Sequence, residues 1–289
     1  MKDKTVKRIR PRRSFIFTPG LKPEMFPKAM ASGADMVCIE LEDGVAPKDK
    51  DNARKHALSF FEKPHDNERI EFVLRINCMR SAFGINDLQA ILSSKTPPSG
   101  LMIPKVNSPE EIFWIDELLD EAGHKSKLHV IIETNAGLEA AFEIAQSSSR
   151  IEALYFGGVD MSAELRCKNT WDSLFFARSK LVHAAANAEI DAIDVPFLDL
   201  TDPEGMKQEA ILARDLGFSG KGAIHPKQIT ILNEVFTPEL DRVEHAKKIL
   251  KTFDEANTGL VVLEGKLIEK PVLREMQRIL AIHERVSKT

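Results

Sequence analysis

Short apolar runs rich in β-branched and aromatic residues alternate with longer segments of helical period through most of this chain. A strand followed by a helix and another strand must cross over to pair in parallel, so the alternation predicts a parallel sheet covered by helices. Eight runs qualify, at 14–18, 36–41, 71–76, 100–104, 129–133, 153–157, 192–194 and 220–224. Between them, helical period spans 24–31, 48–61, 109–122, 138–146, 171–188 and 203–216. Ser108-Pro109-Glu110-Glu111 and Asp202-Pro203-Glu204 place a capping residue before a proline and early carboxylates, while Gly33, Gly123 and Gly217 stand where left-handed helix caps belong. Eight such repeats in about 235 residues match the usual length of a closed (β/α)8 barrel, with an open doubly wound sheet as the alternative.

The pattern changes after Phe236. Residues 237–256 read as one amphipathic helix, 259–268 as a hairpin around Gly265, and 271–286 as a terminal helix. The expected organisation is a barrel over 1–235, opened by a basic arm, and an extension over 236–289. A tail with no place in the barrel wall covers the mouth, docks on another subunit or packs on the barrel exterior.

Composition narrows the function classes. With 40 Lys and Arg against 44 Asp and Glu, the net charge of −4 supplies no global field toward nucleic acid or anionic membrane. The apolar run behind the basic arm ends at Pro19-Gly20, too short for a signal-peptide core, and no stretch approaches the ~20 apolar residues of a membrane span. Cys38, Cys78 and Cys167 lie far apart, without zinc or disulfide spacing. A cytoplasmic protein is expected.

Barrel chemistry sits where strands end and loops begin. Those positions are acidic here: Glu40-Leu41-Glu42-Asp43-Gly44 after the second run, Glu133-Thr134 after the fifth, and Gly157-Gly158-Val159-Asp160 after the sixth. The third run carries Arg75. Glu133 closes an apolar run, where an ionised carboxylate needs a cation or donors facing it. Magnesium takes one or two carboxylates plus water and substrate oxygens, which Glu133 and Asp160 on adjacent strand ends can supply. Arg75 then either pairs structurally with Glu40, Glu42 or Asp43, or stabilises an enolate or carboxylate oxygen beside the metal. Gly157 and Gly158 form a tight turn or permit close approach of a ligand. His225, before Pro226, reads as a structural residue or a general base. No nucleophile elbow, GxGxxG after the first strand or Walker loop is present.

These motifs, together with Arg12-Arg13-Ser14-Phe15-Ile16-Phe17-Thr18-Pro19-Gly20, Leu74-Arg75-Ile76-Asn77 and Gly220-Lys221-Gly222-Ala223-Ile224-His225-Pro226, resemble the citrate lyase β-subunit and malyl-CoA lyase family, which includes citramalyl-CoA lyases. The resemblance runs from about residue 12 to 282. It implies a (β/α)8 barrel, Mg2+ on Glu133 and Asp160, Arg75 at the reacting thioester, and homo-oligomers, commonly trimers or pairs of trimers. It also implies a C-terminal segment that closes over a neighbour's site and brings an aspartate before proline. Here that stretch reads Leu267-Ile268-Glu269-Lys270-Pro271, and Asn135 follows Glu133-Thr134 where the family has proline.

The expected function is therefore a carbon-carbon lyase acting on a 3-hydroxyacyl-CoA such as malyl-CoA or citramalyl-CoA, with Glu42, Asp43 or a neighbour's Glu269 moving protons. A hydroxyacyl-CoA thioesterase and a citrate lyase β-type subunit serving an acyl carrier protein are the alternatives. Basic residues Arg12, Arg13, Lys22 and Lys28 are candidates to meet the CoA phosphates.

Overall fold

The structure, a computed structural model, describes residues 10–63, 69–256, 260–263 and 265–287. Eight parallel strands close in chain order: β1 (Ser14–Pro19), β2 (Met36–Glu40), β3 (Glu71–Arg75), β4 (Gly100–Ile103), β5 (Lys127–Ile132), β6 (Ile151–Phe156), β7 (Asp191–Asp194) and β8 (Gly220–Ala223). β1 pairs with β8, Phe15 opposite Gly222, which excludes the open sheet. All eight strands lie on the eight apolar runs within about two residues at either end, the usual scatter of such boundaries.

The wall helices are α1 (Phe26–Met30), α2 (Lys50–Phe61), α3 (Ala82–Leu92), α4 (Pro109–Glu121), α5 (Asn135–Glu139), α6 (Ala141–Gln146), α7 (Gly158–Leu165), α8 (Trp171–Asn187), α9 (Pro203–Leu216) and α10 (Pro226–Phe236). Gly33, Gly123 and Gly217 adopt the expected left-handed conformation, with φ of 81°, 73° and 116°. The single helix expected over 138–146 is instead two, α5 and α6, divided at Ala140 (φ −87°, ψ 8°), where the backbone leaves the helical well. Among the described residues no helix is long and apolar enough to cross a membrane.

Alternation of side chains along each strand sorts residues into an inner and an outer set. The inner set, Phe15, Met36, Cys38, Val73, Met102, Ile131, Ala153, Tyr155 and Ile193, forms one buried cluster inside the cylinder. Residues of opposite parity, such as Ile16, Val37, Leu74, Leu101, Val130 and Leu154, are equally buried but belong to the face that the helices cover. Stepping two residues from Val73 therefore leads to Glu71 at the N-terminal end of β3 and to Arg75 at its C-terminal end.

The N-terminal end is plugged by an ion cluster. Arg12, only 6% exposed, donates through Nε and Nη2 to Glu71 (2.7 and 3.0 Å), through Nη1 to Asp191 (2.8 Å) and through Nη2 to Glu152 (3.3 Å). His129 lies 3.3 Å from Glu71 and 3.0 Å from the Tyr155 hydroxyl. This corrects the expectation that Arg12 meets CoA phosphates. Its guanidinium is consumed by carboxylates at the starts of β3, β6 and β7, the end of the barrel opposite the loops that follow the strands. Arg13 is likewise held by Asp35 (2.7 Å).

Residues from Glu234 onward cluster as a second compact unit, apart from Arg12–Asn233. It contains α11 (Leu240–Ala256), an antiparallel hairpin of β9 (Leu260–Leu263) and β10 (Lys266–Glu269), and α12 (Lys270–Ser287). Its core gathers Val243, Ala246, Ile249, Phe253, Val261, Ile268, Met276 and Ile279, so the hairpin turns Val261 and Ile268 inward and leaves Leu260, Val262 and Leu267 exposed. α11 starts three residues later than the amphipathic pattern suggests, after Pro238. The first nine residues of the basic arm, and Gly259 at the head of the expected hairpin, lie outside the described residues.

Removing one member of a buried ion pair leaves an uncompensated charge, so Glu71→Gln is expected to lower unfolding stability by about 3 kcal/mol in urea titrations. Burial alone would raise the Glu71 carboxyl, but His129 and Arg12 hold it well below its ordinary 4.5. A carboxyl whose folded value is depressed stabilises the fold above its unfolded value and loses that contribution as pH falls. Acid titration of the parental protein should therefore show stability falling below about pH 4.5, with a shallower fall in Glu71→Gln.

Candidate active site

At the C-terminal ends of the strands the same parity exposes a polar mouth. A cavity of about 300 Å³ is walled by Phe15, Phe17, Met102, Ile131 and Tyr155 and rimmed by Asp43, Arg75, Glu133, Asp160 and Gly157. The apolar floor is the top of the barrel core. The rim is where the sequence placed its chemistry.

Register fixes Arg75. In the β2–β3 ladder Glu40 pairs with Arg75, so the carboxylate and guanidinium emerge side by side and form a hydrogen-bonded ion pair. Glu42 lies 3.4 Å from the other side of the guanidinium. The planar group also stacks on Phe17, 4.6 Å from the ring centroid. Ion pair and stacking together hold the fork in one orientation. The structural reading of Arg75 holds, since it pairs with Glu40, and its guanidinium also lines the cavity. Asn77, further along this loop, is held by its amide and side chain to Asp87 of α3 (2.8 and 2.6 Å).

Glu133 follows β5 and is 3% exposed. Its Oε1 accepts the backbone N–H of Lys105 at 2.9 Å. On the other side, a Cβ at Gly157 would lie 2.4 Å from both Cβ and Oε2 of Glu133, so only glycine permits this approach. Thr134 caps α5 by accepting from Gly137 (3.0 Å) and donates to Asn107 (2.6 Å), fixing the backbone behind the carboxylate. Asp160 stands in the first turn of α7, half-buried and lining the same cavity. Burial, with the negative charges of Glu42 and Asp160, pushes the Glu133 carboxyl up to about 8. Burial also raises Glu40 and Glu42, against the pull of Arg75.

Such crowding of buried carboxylates is a demand for positive charge. Among the described residues no three acidic, histidine or cysteine groups converge as a complete cage. Two oxygen ligands at a cavity rim suit magnesium, which keeps water and substrate oxygens in its remaining positions. Glu133 and Asp160 fit that ion.

Other sequence candidates separate. Asp43 is exposed and lines the cavity, whereas Glu42 is buried and committed to Lys105 (2.6 Å). Gly158 begins α7, packed near Val195. Lys22 and Lys28 are exposed in the β1–α1 segment. Asn135 ties α5 to Glu164 through its amide and side chain (3.2 and 3.1 Å). His225 accepts the Lys227 N–H at Nδ1 (3.1 Å). Glu269 is exposed on β10, within the second unit.

Two mouth lysines escaped the sequence reading. Lys105 falls one residue past the fourth run, and a search extended by that residue would have met it. Lys50 looks like any helix-surface lysine, yet its ammonium is bound to the carbonyls of Leu41 (2.8 Å) and Glu42 (2.6 Å), where it braces the acidic loop.

A family model described as HpcH/HpaI aldolase/citrate lyase matches residues 13–226. The citrate lyase subunit beta of Escherichia coli (strain K12) is 30% identical over 285 residues, covering 95% of this chain and 94% of that protein. The L-malyl-CoA/beta-methylmalyl-CoA lyase of Cereibacter sphaeroides (strain ATCC 17029 / ATH 2.4.9) is 33% identical over 307 aligned positions, 96% of each chain. The solved structure of protein CitE from Mycobacterium tuberculosis, in complex with magnesium, acetoacetate and coenzyme A, is 28% identical with a TM-score of 0.77, covering 96% of this chain and all of that one. A model match across most of the barrel, joined to relatives aligned nearly end to end, means that this chain is a lyase of the HpcH/HpaI aldolase/citrate lyase family.

Proposed function

We propose that this protein is a magnesium-dependent lyase that splits a 3-hydroxyacyl-CoA such as malyl-CoA or citramalyl-CoA into a 2-oxo acid and an acyl-CoA, or joins them in reverse. The observation that carries this reading is the placement of Arg75, Glu133 and Asp160 around one cavity with an apolar floor. Relatives named for L-malyl-CoA lyase activity, and a structural neighbour holding both magnesium and coenzyme A, support it.

Cleavage needs three things. A base takes the proton of the hydroxyl, the carbon-carbon bond breaks as that carbon becomes the carbonyl of the 2-oxo acid, and the bonding electrons pass to the thioester as an enolate that is then protonated at carbon. Magnesium, when bound by Glu133 and Asp160, supplies Lewis acidity toward the hydroxy-acid oxygens. Arg75 meets the enolate oxygen, because a fixed guanidinium stabilises charge that appears only during reaction. Asp43, exposed at the rim, or a neighbouring copy's Glu269 moves the protons in a homotrimer or hexamer. Glu42 serves charge balance through its pair with Lys105. Lys22 and Lys28 meet the phosphates of CoA as mobile cations.

The test is incubation of the purified protein, with and without magnesium, against a panel of hydroxyacyl-CoA thioesters with products identified by mass. Glyoxylate or pyruvate together with an acyl-CoA is expected. Free thiol with intact hydroxy acid would make it a thioesterase, and turnover only with an acyl carrier protein would make it a citrate lyase-type subunit.

Two substitutions sharpen this. Arg75→Met should reduce kcat by about 10²–10³-fold with a smaller change in KM, measured by steady-state kinetics on the best substrate. Gly157→Ala inserts a methyl where Glu133 now lies, and should weaken magnesium binding at least about tenfold by calorimetry of the folded variant, with a stability loss of about 1–3 kcal/mol from overpacking.

A further inference from the structure

Lys105 occupies an uncommon backbone state for a purpose that the functional reading leaves unexplained. Its φ is +54°, in the left-handed region that residues with a Cβ avoid. In that conformation its N–H reaches Glu133 Oε1 (2.9 Å), its carbonyl accepts from Arg80 (2.7 Å), and its side chain turns to Glu42 (2.6 Å) and Asp43 (3.3 Å). One residue thus touches both acidic halves of the mouth.

The charges explain why this matters. Arg75 is flanked by two buried carboxylates, Glu40 in direct contact and Glu42 at 3.4 Å. If both acted on it fully, the guanidinium would sit in a net negative environment, and an approaching oxyanion would be repelled. The other oxygen of Glu42 is taken by the Lys105 ammonium. Lys50 acts on Glu40 and Glu42 through space but gives its hydrogen bonds to backbone carbonyls, whereas Lys105 bonds directly to an oxygen of Glu42.

We infer that Lys105 is a positioning residue with two separable jobs: its amide fixes Glu133, and its ammonium neutralises Glu42 so that Arg75 keeps attraction for the reacting oxyanion. This rests on the proposed role of Arg75. The amide survives any side-chain substitution that keeps the backbone, so the two jobs come apart experimentally.

The probe is carboxymethyl-coenzyme A, a thioether whose carboxylate stands where the enolate oxygen forms, titrated calorimetrically into the magnesium-loaded protein. Mn2+ binding is measured separately, without any CoA compound. Lys105→Met is expected to weaken the analogue about tenfold while Mn2+ affinity stays within about threefold or tightens, and Lys105→Arg should restore the analogue to within about threefold. Parental analogue affinity in Lys105→Met overturns the inference. So does joint loss of Mn2+ and analogue binding in a folded Lys105→Met, which would mean simple packing. Should Lys105→Met fail to fold, Glu42→Gln carries the test: removing the carboxylate that Lys105 neutralises should tighten the analogue about threefold, and weakening overturns the idea. Arg75→Met separates the two levels. Loss of analogue binding there with none in Lys105→Met removes only this inference, whereas parental binding in Arg75→Met removes the functional reading beneath it.

Discussion

Closing eight strands into a cylinder obliges every second side chain to share one interior, and that constraint organises the molecule. The middle of the cylinder takes apolar groups, from Phe15 to Ile193. At either end the same columns run out into charge: Glu71 and Asp191 at the strand starts, Glu40, Arg75 and Glu133 at the strand ends. A charge held there keeps its ionisation only with a partner. The two ends solve this differently, and the difference separates scaffold from site.

At the N-terminal end the account closes within the protein. Arg12 spreads its fork over three carboxylates, and Glu71 is held ionised by Arg12 and His129. At the C-terminal end it stays open. Glu133 has one backbone donor and a glycine against its flank, and its carboxyl is driven up by burial and by neighbouring negative charge. Glu40, Glu42, Asp43, Glu133 and Asp160 outnumber Arg75, Lys105 and Lys50 at the mouth, an excess that the proposed divalent ion would balance. Arg75, Lys105 and Lys50 divide the remaining charge among distinct tasks, so the arrangement is graded rather than merely acidic.

The alternation of runs determined a parallel sheet covered by helices, because a strand-helix-strand repeat has few ways to pair, while the pairing of β1 with β8 decided a closed barrel over an open sheet. Glu133 and Arg75 stood out because a charged residue at the end of an apolar run announces a burial that needs compensation, and Asp160 because it follows the next strand; the structure places all three on one cavity. The glycine caps were legible because few residues tolerate positive φ. Three-dimensional structure alone decided which cation goes with which anion. Nothing local distinguishes Arg12, locked at the barrel base, from Lys22, exposed in the β1–α1 segment, since their roles depend on which end of the cylinder each segment meets. Nor does sequence reveal that Lys105 turns over the acidic loop or that Gly157 presses on Glu133, because those contacts join separate strands, or that Lys50 bends back onto the carbonyls of the loop just before its helix. Local pattern sets elements and parity; only closure of the sheet brings distant charges within a few ångströms, where Coulomb energy selects partners.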